Sequence, residues 1–486
     1  MNFISLDFLK FMLLVFSIYF FIPHKFKWLF LLAASYFFYG FYRLEYLPLL
    51  ILPTAVVYFI AIKIDSGAKQ PKKKILLIAG LVFALAALFV FKYTNFVGGA
   101  VFSLIGLFNE NIKFTPFELI FALGISFYSF KLVSYLVDVY NEKLKAETHA
   151  GYFALYVSFF PQLFMGPIDR AVHFLPELKK KVTFDGSRVI SGLQLITWGV
   201  FKKIVISDRV AIFVNQVFAA PEDQGLNLIL AAYFYAFLIY CDFSAASDIA
   251  IGISRILGFK AMRNFDFPYF SKSITQFWNK WHISLSTWLR DYLFLPICYA
   301  TMRRIKAPRR LWGIKVEAWG YMVGMFITMF LGGLWHGASW TFVVWGMLHG
   351  VYLIFSYAGK KTRKKWAKKT GLNRLPRFRR LLNIFVTFNL VSFAWIFFRA
   401  ESFAKAFTYI QNIQLKPSGK LTVYMFFSLI IVVVFILLES IYKNKEKIRF
   451  LQKMPLPVRI AGFAFFICLI VIFSLDVSNE FIYLQF

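Results

Sequence analysis

Apolar stretches long enough to cross a bilayer recur along this chain, and runs of Lys and Arg lie between them. Four fall near 5–23, 28–44, 46–62 and 75–92, and the last two are separated by Lys63–Lys74, KIDSGAKQPKKK. A helix needs roughly 20 apolar residues to span the hydrocarbon core, and backbone in lipid satisfies its polar groups only as a helix or a closed barrel. The pattern therefore predicts an all-α, polytopic membrane protein. With 59% of 486 residues hydrophobic, 63 of them Phe, a soluble globule is excluded. On a soluble protein the net charge of +31 would suggest nucleic acid. Here it marks cytoplasmic loops, where Lys and Arg accumulate, the aromatics belong to membrane belts and core, and no nucleic-acid partner is expected.

The basic Lys63–Lys74 segment on the cytoplasmic side puts the N-terminus outside. Without a basic n-region or a small-residue cleavage site, the run from Phe8 to Pro23 reads as a retained span. A further span is expected near 118–138, followed by YFALYVSFFPQLFMGPIDR, which Pro161 and Pro167 break into a short or re-entrant element. The basic segment 177–188 reads as a solvated charge run. Long apolar runs at 189–218 and 226–258 come next, then basic Arg303–Arg310, and then Lys360–Arg380, where eleven Lys or Arg occur without an acid. That last run is expected as a cytoplasmic loop. Spans near 381–398, 423–441 and 458–476, with a basic loop at Lys443–Arg459, leave the C-terminus outside, and the assignable exterior loops, such as 93–117 and 399–422, are short. Neither a soluble domain nor an internal repeat is visible, so 1–486 reads as one integral membrane domain: N-terminal helices in 1–150, a catalytic core in 151–410 and C-terminal helices in 411–486. Cys241, Cys298 and Cys468 stand singly, implying no disulfide framework or zinc knuckle.

A histidine stands out in Leu331–Gly346, LGGLWHGASWTFVVWG. An imidazole inside an apolar run is disfavoured when charged, so His336 is a functional candidate by default. The alternative is a satisfied core histidine. Gly332, Gly333 and Gly337 around it predict a helix break at membrane depth. In Arg263–Cys298, Ser273 followed by Gln276 is a capping-box pattern that predicts a helix start. On that helix Phe277, Trp278, Trp281, Leu285, Trp288, Leu289 and Tyr292 recur at helical spacing, with His282 on the edge of the face. The helix suits a partly buried element at the cytoplasmic side. Asp242 and Asp248, within an apolar run, are expensive unless partnered; a structural and a site role both remain open for them.

These motifs resemble the membrane-bound O-acyltransferase family, and within it the bacterial alginate O-acetylation type. The resemblance rests on PQLFMGPIDR with FLPEL (161–178), DFSAASDIAIG (242–252), FPYFSKSITQFWNKWHISLSTWLRDYLFLP (267–296), LGGLWHGASWTFVVWGMLHG (331–350) and FAWIFFRAESFAKA (393–406). It implies a fold of roughly eleven membrane-length helices with re-entrant and interfacial helices, thinned at a central funnel that brings a cytoplasmic thioester to the histidine. It also implies a catalytic histidine, matched by His336, and a second polar active-site residue, matched by His282. Trp335, Trp281, Trp278, Asn279, Ser286 and Asp242 become the candidate substrate-binding residues. The resemblance further implies residence in the bacterial cytoplasmic membrane, in contact with lipid, and separate extracytoplasmic acetyltransferase subunits.

Acyl transfer from a thioester to an alcohol needs a base for the hydroxyl proton and a donor for the tetrahedral oxyanion. Neutral imidazole suits the first task, which assigns His336 as base and His282 as an orienting or oxyanion-stabilising partner. No Gly-x-Ser-x-Gly elbow is present, which argues against a serine acyl-enzyme. No metal and no permanently bound cofactor are expected; acetyl-CoA or another acyl thioester enters as donor substrate. The expected function is O-acetylation of an exported cell-envelope polysaccharide. Two alternatives are D-alanyl transfer to teichoic acid and a proton-coupled polysaccharide or lipid transporter, in which His336 and the intramembrane acids form a relay. Because CoA is cytoplasmic and the polysaccharide exterior, an outer-side protein partner is expected to receive the acetyl group.

Overall fold

A computed structural model describes residues 1–67, 69–109, 112, 114–119, 123–222, 224–305, 310–414, 423–444, 454–474 and 481–482. Their regular secondary structure is helical apart from one two-residue antiparallel ribbon, Arg310–Leu311 with Ile314–Lys315. Among them, eight helices are long and apolar enough to cross a membrane, with Ile460–Ser474 a shorter apolar helix. The chain clusters into two compact units, Met1–Ile196 with Ala246–Met262, and Thr197–Ala245 with Arg263–Phe486.

In the first unit the expected spans are the helices Leu6–Tyr19, His24–Gly40, Tyr46–Asp65 and Gln70–Leu88, of which the first two are not among the eight of membrane-crossing length. The last one does not stop near 92. It passes through a π-turn at Phe89–Tyr93 into Thr94–Gly106, so much of the 93–117 segment read as an exterior loop is helix. The span expected near 118–138 is the shorter helix Ile125–Tyr140, and Pro161 and Pro167 do leave a short helix, Ala150–Ser158, ahead of them. The PQLFMGPIDR motif serves this unit's interior. Lys131 Nζ donates to the Tyr156 carbonyl at 3.0 Å and to Gln162 Oε1 at 3.1 Å, Gln162 Nε2 donates to Asp169 Oδ2 at 2.6 Å, and the Met262 amide donates to Asp169 Oδ1 at 3.1 Å. Gln162 thus bridges a buried lysine and a buried aspartate, satisfying both away from water.

In the second unit, the helix after Phe201 widens into a π-turn at Lys202–Ser207 before Asp208–Ala219. The extra residue in that turn shifts the helical register, and two consecutive lysines, Lys202 and Lys203, are both buried. Lys202 Nζ donates to Ser244 Oγ at 2.6 Å; Lys203 Nζ lies 2.8 Å from Asp242 and 2.9 Å from Asp208. Asp242 therefore has the partner its burial demands. The Lys360–Arg380 run, read as a loop, is mostly helix: Lys360–Lys369 is exposed and basic, and Pro376, at the first position of the next helix, starts Pro376–Arg399. Within Arg303–Arg310, residues 306–309 lie outside the described residues, as do 415–422 of the 399–422 segment and 445–453 of Lys443–Arg459.

Val316–His336 and Trp340–Ala358 form a tight helical hairpin in this unit. The expected break falls at Gly337, whose extended backbone ends the first helix right after His336, whereas Gly332 and Gly333 lie inside that helix. Their function is close approach. A Cβ on Gly333 would lie 2.3 Å from the Phe342 carbonyl oxygen, and one on Gly346 would lie 2.3 Å from that of Met329. Small residues let membrane helices come this near. Gly346→Ala should therefore destabilise the protein by about 1–3 kcal/mol, the usual cost of overpacking, read as a fall in detergent melting temperature; an unchanged midpoint would show that the hairpin has room to spare.

Candidate active site

The expected single helix after Ser273 is two short helices. Ser273 does cap the first: its Oγ accepts from the Gln276 amide at 3.2 Å, and Gln276 Oε1 accepts from the Lys272 amide at 2.8 Å. That helix, Ile274–Trp278, ends almost at once, and a second, Ile283–Leu289, begins after His282. The backbone reverses at His282, whose φ of +41° lies in the left-handed region that a β-carbon resists. A non-glycine residue held there costs roughly 1–3 kcal/mol and persists only where its surroundings impose it.

Asn264 imposes it. Its Oδ1 accepts from the Ser284 amide at 3.3 Å and from Ser284 Oγ at 2.9 Å, and it lies 3.0 Å from His282 Nδ1. The Ile283 amide also donates to the Asn264 carbonyl at 2.8 Å. An oxygen that already accepts from a backbone N–H can bind the ring nitrogen only if that nitrogen carries a proton. His282 is therefore the Nδ1–H tautomer, and its Nε2 presents a lone pair. The ring is fully buried, flanked by Phe243 at 4.6 Å and Trp335 at 6.0 Å, and burial pushes its pKa down to about 3. A neutral ring with a bare Nε2 accepts a hydrogen bond and cannot donate to an oxyanion. Of the two roles open to His282 from sequence, the oxyanion donor does not fit this geometry.

His336 closes its helix, 5% exposed, with Gly337–Ser339 turning the chain into the next helix. Its ring is walled by Trp335 at 4.9 Å, Trp345 at 4.9 Å and Phe398 at 5.2 Å, all close to edge-on. Trp335 thus contacts both imidazoles. Beyond Phe398 lies a cavity of about 300 Å³ lined by Ser339, Thr341, Phe342, Phe398, Arg399, Tyr235 and the Lys203, Asp208 and Asp242 charges. Asp242 is held by the Ile482 amide as well, at 2.9 Å, and the Phe481 ring covers Lys203.

The other sequence candidates scatter. Trp278 lies in the aromatic cluster against Trp345, and Trp281 is interior packing, stacked on Phe277 at 5.5 Å and touching Trp395 at 5.1 Å. Asn279 is the exposed residue that ends Ile274–Trp278, and Ser286 Oγ donates to the Trp281 carbonyl at 3.0 Å. Sequence reasoning passed over Asn264, Lys202, Lys203 and His349. The signal for His349 was its place four residues after Trp345 on one helix face; the lysines were hidden in an apolar run.

The tautomer can be read directly. In ¹⁵N-histidine-labelled protein, His282 should show a pyrrole-type Nδ1 and a pyridine-type Nε2, and Asn264→Leu should erase that preference while costing about 1–3 kcal/mol of stability through the Ser284 donors left unpaired. A protonated Nε2 in the wild type would refute the assignment.

The family model of the membrane-bound O-acyltransferases matches residues 79–400. The chain is 35% identical to a protein named probable alginate O-acetylase AlgI from Pseudomonas aeruginosa, over 79% of this chain and 69% of the relative. It is 33% identical to a peptidoglycan O-acetyltransferase of Helicobacter pylori over 78% of this chain and 72% of that one. A teichoic acid D-alanyltransferase of Bacillus subtilis is 30% identical over 63% of this chain and 78% of its own length. The chain belongs to the membrane-bound O-acyltransferase family and is a multi-pass membrane enzyme that transfers acyl groups.

Proposed function

We propose that this enzyme takes an acetyl group from a cytoplasmic thioester such as acetyl-CoA and passes it through the bacterial cytoplasmic membrane for O-acetylation of an exported cell-envelope polysaccharide. The observation that carries the reading is the setting of His336, a buried imidazole at a helix end that shares the Phe398 wall with an open cavity. The relatives named for O-acetylation of alginate and peptidoglycan match more of the chain than the D-alanyltransferase does.

Charge gives the cavity a side. The exposed Lys360–Lys369 helix follows Trp340–Ala358 and precedes Pro376–Arg399, so the positive-inside rule puts those two helix ends in the cytoplasm. The opposite ends, Ser339 and Arg399, line the cavity, which then opens outward and suits the acceptor. In the reaction, His336 removes the proton of an acceptor hydroxyl. The oxygen attacks the thioester carbonyl, the carbon–sulfur bond breaks, and the proton leaves with the thiolate. Trp345 Nε1–H, buried and with no acceptor among the described residues, supplies an oxyanion donor beside His336. His282, with a lone pair and no N–H to offer at Nε2, serves as an orienting hydrogen-bond acceptor across Trp335.

Purified protein incubated with radiolabelled acetyl-CoA and a soluble acceptor tests the chemistry. His336→Ala should lose about three orders of magnitude or more in turnover at near-normal yield and thermal stability, and His282→Ala should be severe but less complete; near-normal turnover in His336→Ala would remove the mechanism. Labelled D-alanyl carrier as the productive donor would favour the teichoic acid reading instead. Delivery to the sugar is assigned to an outer-side protein partner, since acetyl-CoA and glycan occupy opposite faces. In sealed vesicles with acetyl-CoA on the cytoplasmic face and glycan on the other, acetylation should appear only when an extracytoplasmic acetyltransferase subunit is added. Efficient glycan acetylation by this chain alone would sink the idea.

A further inference from the structure

His349 lies one turn beyond Trp345 on Trp340–Ala358, and nothing in the chemistry above uses it. Its ring is fully buried. Nδ1 accepts from Trp278 Nε1–H at 3.3 Å, which places the ring proton on Nε2, and that Nε2 is buried with no hydrogen-bond partner among the described residues. An apolar ring of similar volume would fill this space without stranding a donor, and stranding one is costly. The imidazole is therefore explained by its Nδ1.

That nitrogen fixes a triangle of rings. His349 lies 5.1 Å from Trp278 and 5.0 Å from Trp345, and Trp278 lies 5.8 Å from Trp345, every pair edge-to-face. The hydrogen bond locks two corners relative to each other, and Trp345, wedged against both, also meets His336 edge-to-face at 4.9 Å. Trp278 comes from the short Ile274–Trp278 helix, so the bond also ties that helix to the hairpin carrying His336.

We propose that His349 is a positioning residue for acyl transfer: its hydrogen bond with Trp278 holds the Trp345 indole in the orientation that His336 requires. The inference rests on the acyl-transfer reading of His336. His349→Phe keeps a ring but removes the acceptor, whereas His349→Asn offers a carboxamide oxygen where Nδ1 stood. In the acetyl-CoA assay, His349→Phe should lower kcat by about 10²-fold, the scale of a small misplacement of reacting groups, with KM for the donor within about twofold. His349→Asn should recover most of the loss. In a Trp278→Phe background, His349→Phe should add little further, since both changes remove one bond.

Near-wild-type kcat in His349→Phe, equal losses in the Phe and Asn variants, or multiplicative losses with Trp278→Phe would each overturn the proposal. A second readout needs no substrate. With ring-¹³C histidine, the His336 resonance should move in His349→Phe and return in His349→Asn, and a resonance indifferent to both variants would overturn the positioning role even if the chain proved inactive towards acetyl-CoA. An inactive wild type with a responsive His336 resonance would instead fault the donor assignment and leave the positioning intact.

Discussion

The carboxamide of Asn264 decides what His282 can be. Three donors converge on one oxygen, and the convergence holds a histidine in a left-handed turn, separates two short helices and selects a tautomer. Remove that acceptor, and main-chain bonds, from the Ile283 amide to the Asn264 carbonyl and from the Asp266 amide to the Lys280 carbonyl, are left to hold the turn against the single amphipathic helix the spacing suggests. The strain at His282 and the orientation of its Nε2 are thus two results of one contact. Such a device works because the site is buried: in a place open to water, solvent would compete for each of these bonds and the tautomer would be free.

Charges follow the same logic. A lysine, an aspartate or an imidazole away from water must find a partner close at hand, and the two units do so separately, through Lys131–Gln162–Asp169 in one and Lys203 with Asp208 and Asp242 in the other. In the second unit the solution reshapes the helix itself. A regular helix cannot bring two adjacent lysines equally inward, and the π-turn at Lys202–Ser207 lets Lys202 reach Ser244 while Lys203 reaches the acids.

Much of this was legible in the chain. Apolar length marked Tyr46–Asp65, Leu226–Ile256 and Pro376–Arg399, because a bilayer imposes one dimension on every crossing helix. Ser273 with Gln276 marked a helix start, since the capping bonds are local. His336 was legible as an ionisable group in an apolar run. What escaped was long-range or out of register. No local signal says that Asn264 will bend the chain 18 residues later, and the 3.6-residue period that groups Trp278 with Trp281 and Leu285 presumes an unbroken helix. Gly332 and Gly333 misled in the other direction, for flexibility and lack of bulk are read from the same residue, and here the missing side chain mattered.

Why lack of bulk should matter beside His336 follows from the hairpin. Gly333 lies three residues before His336, and Gly346 directly follows Trp345, so the closest approach of the two helices falls next to the ring pair at the site. Side chains at those positions would force the helices apart, and the edge-to-face contact of His336 with Trp345 would open by a comparable amount. Dispersion and quadrupole terms between rings decay within about an ångström of the optimum, whereas a backbone crossing set by glycine against carbonyl oxygen is defined to tenths of an ångström. The glycines therefore act as the gauge that sets the width of the aromatic wall around His336, a wall whose Phe398 also lines the cavity.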